Sequence, residues 1–442
     1  MPYHPGKTTF TVPYGRESLT FTIPPTMTAA EVDPTPFPTI SDLGKAAREA
    51  LGSPVGSPRL REIAKPTDQV CIVVTDATRD CPDSYLVPGL IEELEQAGVK
   101  PENITILVGV GMHRASTPEE RLEKLGPDLV RRFRIIDHNA QDPAGIMLLG
   151  TSDTGIPLSV SKLAYESDLL IATGIVEPHQ YAGYSGGGKT VTIGAGGEVT
   201  ITHTHGPAMV DHPKTRLGNL EGNLFRQAVN QVAEAAGLKF IINVVMNDQK
   251  QPVAVRAGHP IAAFSELVEI AKKLFTVPIP KAFDVAVGGI GYPKDANLYQ
   301  ASRAASYLHF APEPVIKEGG LIILPARLQE GPGQGKGEQN FYYALKNATS
   351  LHAFLEESRR VGYPAGEQRA FVMAKVLEYC DVVVVGSECP DIVRDLKMIP
   401  VATMDEAFKL VEQRIGKNAE ILVVPHALLT LPVIAREAVG AR

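Results

Sequence analysis

The chain has 442 residues, 43 Lys and Arg against 50 Asp and Glu, and a net charge of −7, with 44 % hydrophobic and 21 % charged residues. These fractions exclude a disordered or collagen-like chain, and the acidic balance leaves no general electrostatic footprint for nucleic acid or an anionic membrane. Four Cys (Cys71, Cys81, Cys380, Cys389), none in a C-x-x-C pair, exclude a disulfide framework and argue against a structural zinc site.

The N-terminus, MPYHPGKTTF, has no basic stretch followed by an apolar one. The apolar run at 169–176 is far shorter than a membrane span, so a cytoplasmic protein is expected. Residues 8–23 alternate around Pro13-Tyr14-Gly15 and read as a hairpin. Residues 24–40 are Pro-rich and read as an irregular strap.

From 68 onward strands and helices alternate. Short apolar runs at 70–75, 104–110, 169–176 and 240–245 predict buried strands, and 134–137 a further one. Thr117 is an expected N-cap with Pro118 at the first helical position, Glu120 closing a capping box and Gly126 ending the helix. An amphipathic helix is expected at 263–275. Two prolines make 276–281 look like a linker, after which strands are expected at 284–289, 321–324, 381–385 and 421–424. Helices are expected at 298–310, 338–346, 370–378 and 404–415. The fold class is therefore α/β, with two α/β domains of mainly parallel sheet, residues 1–275 and 276–442.

In such sheets ligands bind beyond the carboxyl ends of the strands. The residues found there are Asp76-Ala-Thr-Arg79, Gly111-Met-His113-Arg114, Glu177-Pro-His179 and Gly291-Tyr-Pro-Lys294, the last followed by Tyr299, Gln300 and Arg303. Any one of them alone reads more readily as a helix cap or a turn residue. Four such coincidences in one chain favour a site.

Gly183 to Thr190 matches the phosphate-loop pattern G-x-x-x-x-G-K-[ST]. The context argues against a P-loop-like nucleotide hydrolase. EPHQYA separates the strand from the first glycine, and VTIGAGGEV after Thr190 is a poor first turn for a helix. Seven of the fifteen residues from 183 to 197 are Gly, which permits close approach of backbone to a ligand at Gly186, Gly187 and Gly188. Four of the 11 His (His179, His203, His205, His212) fall between 179 and 212. His203-Thr-His205 would put both imidazoles on one face of a strand, as metal ligands require.

The segments TDATR (75–79), GMHR (111–114), EPHQYAGYSGGGK (177–189), THTH (202–205) and GYPKDANLYQASR (291–303), in this order, resemble the nickel-pincer lactate racemase family of 2-hydroxyacid racemases and epimerases. The resemblance implies two α/β domains with the active site in the interdomain cleft. It implies nickel, held in a nickel pyridinium-3,5-bisthiocarboxylic acid mononucleotide tethered to Lys189, with His205 on the metal and His203 as the less well placed alternative. His113 and His179 match the acid/base histidines. Asp76 falls to the cofactor side, and Arg79, Tyr299, Gln300 and Arg303 to the substrate. The implied partners are a small 2-hydroxy acid and the enzymes that make the cofactor, with no nucleic acid and no membrane. Two departures stand out: Arg303 replaces a lysine, and Gly188 replaces a residue that is often basic. The absence of Trp leaves an aromatic such as Tyr363 to line the substrate. A non-catalytic anion-binding module is the remaining alternative.

The chemistry accounts for this set. A C2–H bond beside an alcohol and a carboxylate is too weakly acidic for a simple base, and moving the hydrogen as hydride needs an electron sink that no side chain supplies. Inversion then calls for a base for each enantiomer, hence two histidines.

Overall fold

The structure, a computed structural model, describes residues 2–364 and 366–435. The chain forms two compact units. One contains Phe37–His205 and Leu220–Lys273; the other joins residues up to Pro36, Gly206–Asn219 and residues from Leu274 onward.

The sheet of the first unit has six strands in the order Pro252–Gly258, Leu238–Met246, Leu169–Ile175, Val70–Thr75, Ile104–Gly109, Arg134–Asp137. All neighbours are parallel except the first pair. Every residue of Val70–Thr75 and Leu169–Ile175 is buried, as expected of parallel strands covered on both faces. Leu86, Leu90 and Leu94 of the helix Asp83–Gln96 pack with Ile72, Val74 and Ile106 in one core. The Thr117–Glu120 capping box forms as the sequence indicates. Gly126, at φ 80°, breaks the helix rather than ending it, and Pro127 starts a continuation to Arg132.

The second unit has a seven-stranded sheet in the order Tyr3–Pro5, Thr28–Val32, Glu420–Val424, Phe283–Gly288, Ile316–Pro325, Asp381–Val385, Ile399–Val401. Only the first pair is antiparallel. The helix Leu298–His309 is capped by Asn297, whose side chain accepts the Gln300 N–H at 2.9 Å.

Three further expectations change. The compact units do not follow the bounds 1–275 and 276–442: the segment up to Pro36 and Gly206–Asn219 belong with the unit that contains residues from Leu274 onward. Thr28–Val32 pairs in parallel with Glu420–Val424, and Leu217 N–H donates to the Phe310 carbonyl at 3.0 Å. Residues 276–281 are not a linker. Thr276–Ile279 is a strand paired in parallel with Leu431–Ile434, with Val277 and Ile279 buried and Pro278 facing out. Finally, His203 lies in the helix Glu198–Thr204, with His205 at its C-cap, so the two imidazoles do not share a face. No helix among the described residues is long and apolar enough to cross a membrane.

Candidate active site

In the first unit the strand order reverses between Val70–Thr75 and Leu169–Ile175, which opens a crevice at their carboxyl ends. The 76–79 turn follows one strand and the Glu177–Lys189 segment follows the other. His113 sits on the loop after the adjacent strand Ile104–Gly109.

Asp76 and His113 form a dyad. Asp76 Oδ2 lies 2.6 Å from His113 Nδ1, and its Oδ1 accepts the Thr78 hydroxyl at 2.8 Å. Burial would raise the Asp76 carboxyl, but the hydrogen bond and charge of His113, with Arg79 and Thr78, hold it below the usual carboxylate range. The Asp76 turn is anchored from below by Asp83, which is fully buried. Asp83 Oδ2 meets Lys124 Nζ and the Thr75 hydroxyl, both at 3.1 Å, and Oδ1 accepts the Thr173 hydroxyl. Lys124 also donates to the Arg79 and Cys81 carbonyls at 2.8 Å.

The glycines before Lys189 face protein. A Cβ on Gly186 would come within 2.7 Å of Val176, and one on Gly188 within 2.4 Å of Ala233. Gly186 and Gly187 also take positive φ, 81° and 62°. The Gly187 N–H is spent on Asn243 Oδ1 at 2.7 Å. The Arg226 guanidinium, buried over the Phe264 ring, donates to the carbonyls of Ala182, Tyr184 and Gly186. This is not the geometry of a phosphate loop, whose N–H groups must point at the ligand. The close approach expected of these glycines is made to helix and strand, and it fixes where Lys189 stands. One π-helical turn, Thr190–Gly194, follows, and the Gly194 carbonyl accepts the Gly111 N–H at 2.8 Å, tying the His113 loop to the Lys189 segment.

Burial, reinforced by the positive charges of Arg79 and Arg226, pushes the Lys189 amine down to about 7. A large fraction is therefore the neutral, nucleophilic amine at neutral pH. His205 packs edge-on against Tyr181 and Phe225, with ring centroids 5.6 and 5.1 Å away. Its Nδ1 lies 2.9 Å from the Ile201 carbonyl, which only accepts, so Nδ1 carries the proton and Nε2 the lone pair. Burial, with Lys189 and Arg79 adding to it, lowers His205 to about 4 and keeps it neutral. A neutral imidazole with its second nitrogen on a backbone carbonyl is the form in which histidine ligates metals. His203 is exposed. Among the described residues no group of three or more His, Cys, Asp or Glu is placed to hold a metal ion. The donors present, one reactive amine and one ligating imidazole, fit a tethered cofactor that brings its own metal donors. His179 belongs to the same aromatic cluster, 5.8 Å from Tyr181 and 6.2 Å from Phe225, and its Nδ1 accepts the N–H groups of Tyr181 and Ala182.

Tyr299, Gln300 and Arg303 lie in the second unit, on the helix Leu298–His309 that follows Phe283–Gly288. The Arg303 guanidinium donates to Gln300 Oε1 at 3.4 Å and to the Tyr307 hydroxyl at 3.1 Å. Tyr299 packs edge-on against Phe341 and under the Arg369 guanidinium, 5.7 Å from its ring. Tyr363 packs on Phe371.

Sequence reasoning missed Asp83, Arg226, Asn243 and Arg369. The signal was present: each is a polar residue on a face otherwise apolar, as with Asn243 in the strand Leu238–Met246 and Arg226 between Phe225 and Val229. Buried polar groups of this kind tie neighbouring segments together through hydrogen bonds to backbone, as Arg226 and Asn243 do, or to side chains, as Asp83 and Arg369 do.

Residues 14–218 match the family described as the lactate racemase N-terminal domain, and residues 280–431 match the lactate racemase C-terminal domain. The chain is 31 % identical over 392 residues to the lactate racemase of Thermoanaerobacterium thermosaccharolyticum, covering 88 % of this chain and 90 % of that one. It is 33 % identical over 390 residues to the lactate racemase of Lactiplantibacillus plantarum, covering 87 % and 89 %. The structure is similar to that of the T. thermosaccharolyticum lactate racemase apoprotein, with a TM-score of 0.85, 28 % identity, and coverage of 96 % of this chain and 100 % of that one. A protein from Thermotoga maritima shares the fold at a TM-score of 0.64 and 18 % identity, covering 89 % and 97 %.

Proposed function

The chain belongs to the lactate racemase family and is an isomerase of the racemase type, and on that premise we propose that it inverts C2 of a 2-hydroxy acid, lactate or a related acid, by proton-coupled hydride transfer. The observation that supports this reading best is the pairing of a half-buried Lys189, its amine lowered to about 7, with a neutral, carbonyl-oriented His205. Lys189 is the tether and His205 the metal ligand for a nickel-pincer nucleotide. When bound, that group supplies the hydride acceptor that the side chains lack.

The protein's own residues do the rest. Arg79, beside Asp76 on the same turn, offers its guanidinium to the substrate carboxylate. Tyr299, Gln300 and Arg303 are assigned to binding of the substrate on their match to the family's pattern. Arg303 is pinned by Gln300 and Tyr307, so it presents a fixed fork rather than the mobile point charge of a lysine. That suits a substrate with a second polar or carboxylate group. His113 and His179 serve the C2 oxygen and its proton. Gly186, Gly187 and Gly188 set the position of the tether.

The test is expression with the cofactor-synthesis enzymes, followed by nickel analysis, the mass of the Lys189 peptide, and a panel of single-enantiomer hydroxy acids. The reading expects nickel at a fixed ratio to protein, added mass on that peptide, and loss of both in Lys189→Ala. His113→Ala and His179→Ala should each lose on the order of 10²–10⁴ in kcat. Full activity in either histidine variant contradicts the assignment. ATP hydrolysis that depends on Lys189 and not on nickel would support the nucleotidase instead.

A further inference from the structure

The second unit has a cavity of its own, at the carboxyl ends of three neighbouring parallel strands, Phe283–Gly288, Ile316–Pro325 and Asp381–Val385. Its volume, about 330 Å³, is at the small end of the range for ligand pockets. Tyr292 lines it from the loop after the first strand, Arg327 and Gln329 after the second, and Glu388 after the third. Arg16 and Glu17, at the tip of the hairpin formed by Thr9–Tyr14 and Glu17–Thr22, complete the lining. Tyr299, Gln300 and Arg303 take no part in it. The walls are pinned to one another. The Gly15 N–H donates to Oδ2 of the fully buried Asp295 at 2.6 Å, and the Gly15 carbonyl accepts the Tyr292 N–H at 2.9 Å. The Tyr14 hydroxyl donates to the Gly386 carbonyl at 2.6 Å, and the Glu388 N–H to the Arg327 carbonyl at 2.7 Å. Between Arg327 and Gln329, the buried Leu328 takes φ 55°, a left-handed conformation that a side chain of its size resists. The Asp295 carbonyl holds it there by accepting its N–H at 2.9 Å. Strain of this kind persists only where the surroundings impose it, and it collects at ligand sites.

We propose that this cavity is a second ligand site, for a small organic anion that also carries hydroxyl groups. The Arg16 guanidinium lies over the Tyr292 ring, 3.8 Å from its centroid, and among the described residues it forms no ion pair. Stacking fixes the plane of the guanidinium and leaves its N–H edge for a carboxylate or phosphate. Arg327 commits Nε and Nη2 to Glu388 at 2.9 and 2.6 Å, which neutralises that carboxylate and leaves Nη1 for the ligand. The Gln329 amide both donates and accepts. Glu17, when ionised, only accepts, so a ligand hydroxyl satisfies it where a bare inorganic anion is repelled. The lining therefore selects an anion that brings donors of its own.

Titration calorimetry on the full chain tests this with two probes, glycerol 3-phosphate and 3-hydroxybutyrate. They present hydroxyl chemistry on a phosphate and on a carboxylate, and neither is a 2-hydroxy acid. At least one should bind saturably, with Kd on the order of 1 mM or tighter, and the better of the two identifies the anionic group. Inorganic phosphate should bind at least about 10-fold more weakly, for want of a hydroxyl. Arg16 is exposed, so Arg16→Gln keeps the fold, and it should weaken the probe at least about 10-fold by removing a charge-assisted pair. Gln329→Ala should weaken it by a smaller factor. Arg79→Gln, which alters the first unit, should leave the affinity unchanged. The proposal is overturned if the unmutated chain binds neither probe, or if Arg16→Gln binds as tightly as the unmutated chain. It is overturned equally if Arg79→Gln abolishes binding, or if inorganic phosphate binds as well as the probes.

Discussion

Gly188 lies so close to Ala233 that a Cβ on it would come within 2.4 Å of the alanine's own. This contact fixes the residue before Lys189 against the helix Leu224–Ala235 and leaves no room for a side chain there. Gly188→Ala should cost about 1–3 kcal/mol through overpacking. Ala233→Gly opens the space, so the double variant should lose less than the sum of the single ones. Urea unfolding midpoints of the four proteins measure this coupling.

Asp83 carries a larger share of the site's stability. Its carboxylate is fully buried and serves Lys124, Thr75 and Thr173 from the carboxyl ends of two strands. Asp83→Ala strands the Lys124 charge and should cost about 3–5 kcal/mol. Asp83→Ala with Lys124→Met should recover part of that loss in the same unfolding assay, since removing both charges leaves neither one unpaired.

Lys189 should titrate far from the other lysines. Burial and two guanidinium charges lower it to about 7 in the folded chain, against an ordinary value of 10.5. The unfolded chain then binds the proton more tightly between about pH 7 and 10.5, so this group's contribution to stability rises with pH across that window. Acetylation of Lys189 in the cofactor-free protein, followed by peptide mass, should rise through about pH 7. Exposed lysines should follow near pH 10. A Lys189 profile that matches theirs would remove the case for a reactive amine.

Arg303→Lys should act on binding more than on turnover. The guanidinium is fixed by Gln300 and Tyr307, and lysine can reproduce neither its fork nor its orientation. KM for a 2-hydroxy acid with a second carboxylate should rise roughly 10-fold, with kcat changed less. Steady-state kinetics on the cofactor-loaded enzyme read the split.

The parts that were legible in the sequence are those fixed by local physics. The apolar run 70–75 can only be a strand covered on both faces, and Thr117, Pro118 and Glu120 carry their capping geometry in adjacent positions. The parts that were not legible depend on distant partners. Thr28–Val32 is a sheet strand only because Glu420–Val424 lies beside it. Thr276–Ile279 tolerates Pro278 because its ladder has just two strands. His203 and His205 alternate like strand residues over too short a stretch to reveal the helix they occupy. The Gly-rich run stood out in the sequence, but the contacts its glycines make did not. Its glycines answer to Val176, Asn243 and Ala233, which only folding brings together.

The most direct test of the central claim is the fate of the hydrogen on C2. A single-enantiomer 2-hydroxy acid deuterated at C2 is given to the cofactor-loaded protein in ordinary water, and both enantiomers are separated and weighed by mass spectrometry. The account predicts that the opposite enantiomer appears and keeps its deuterium, because that hydrogen moves as hydride and never meets solvent. Inversion with the label lost to water, or no inversion of any acid in the panel, would contradict it.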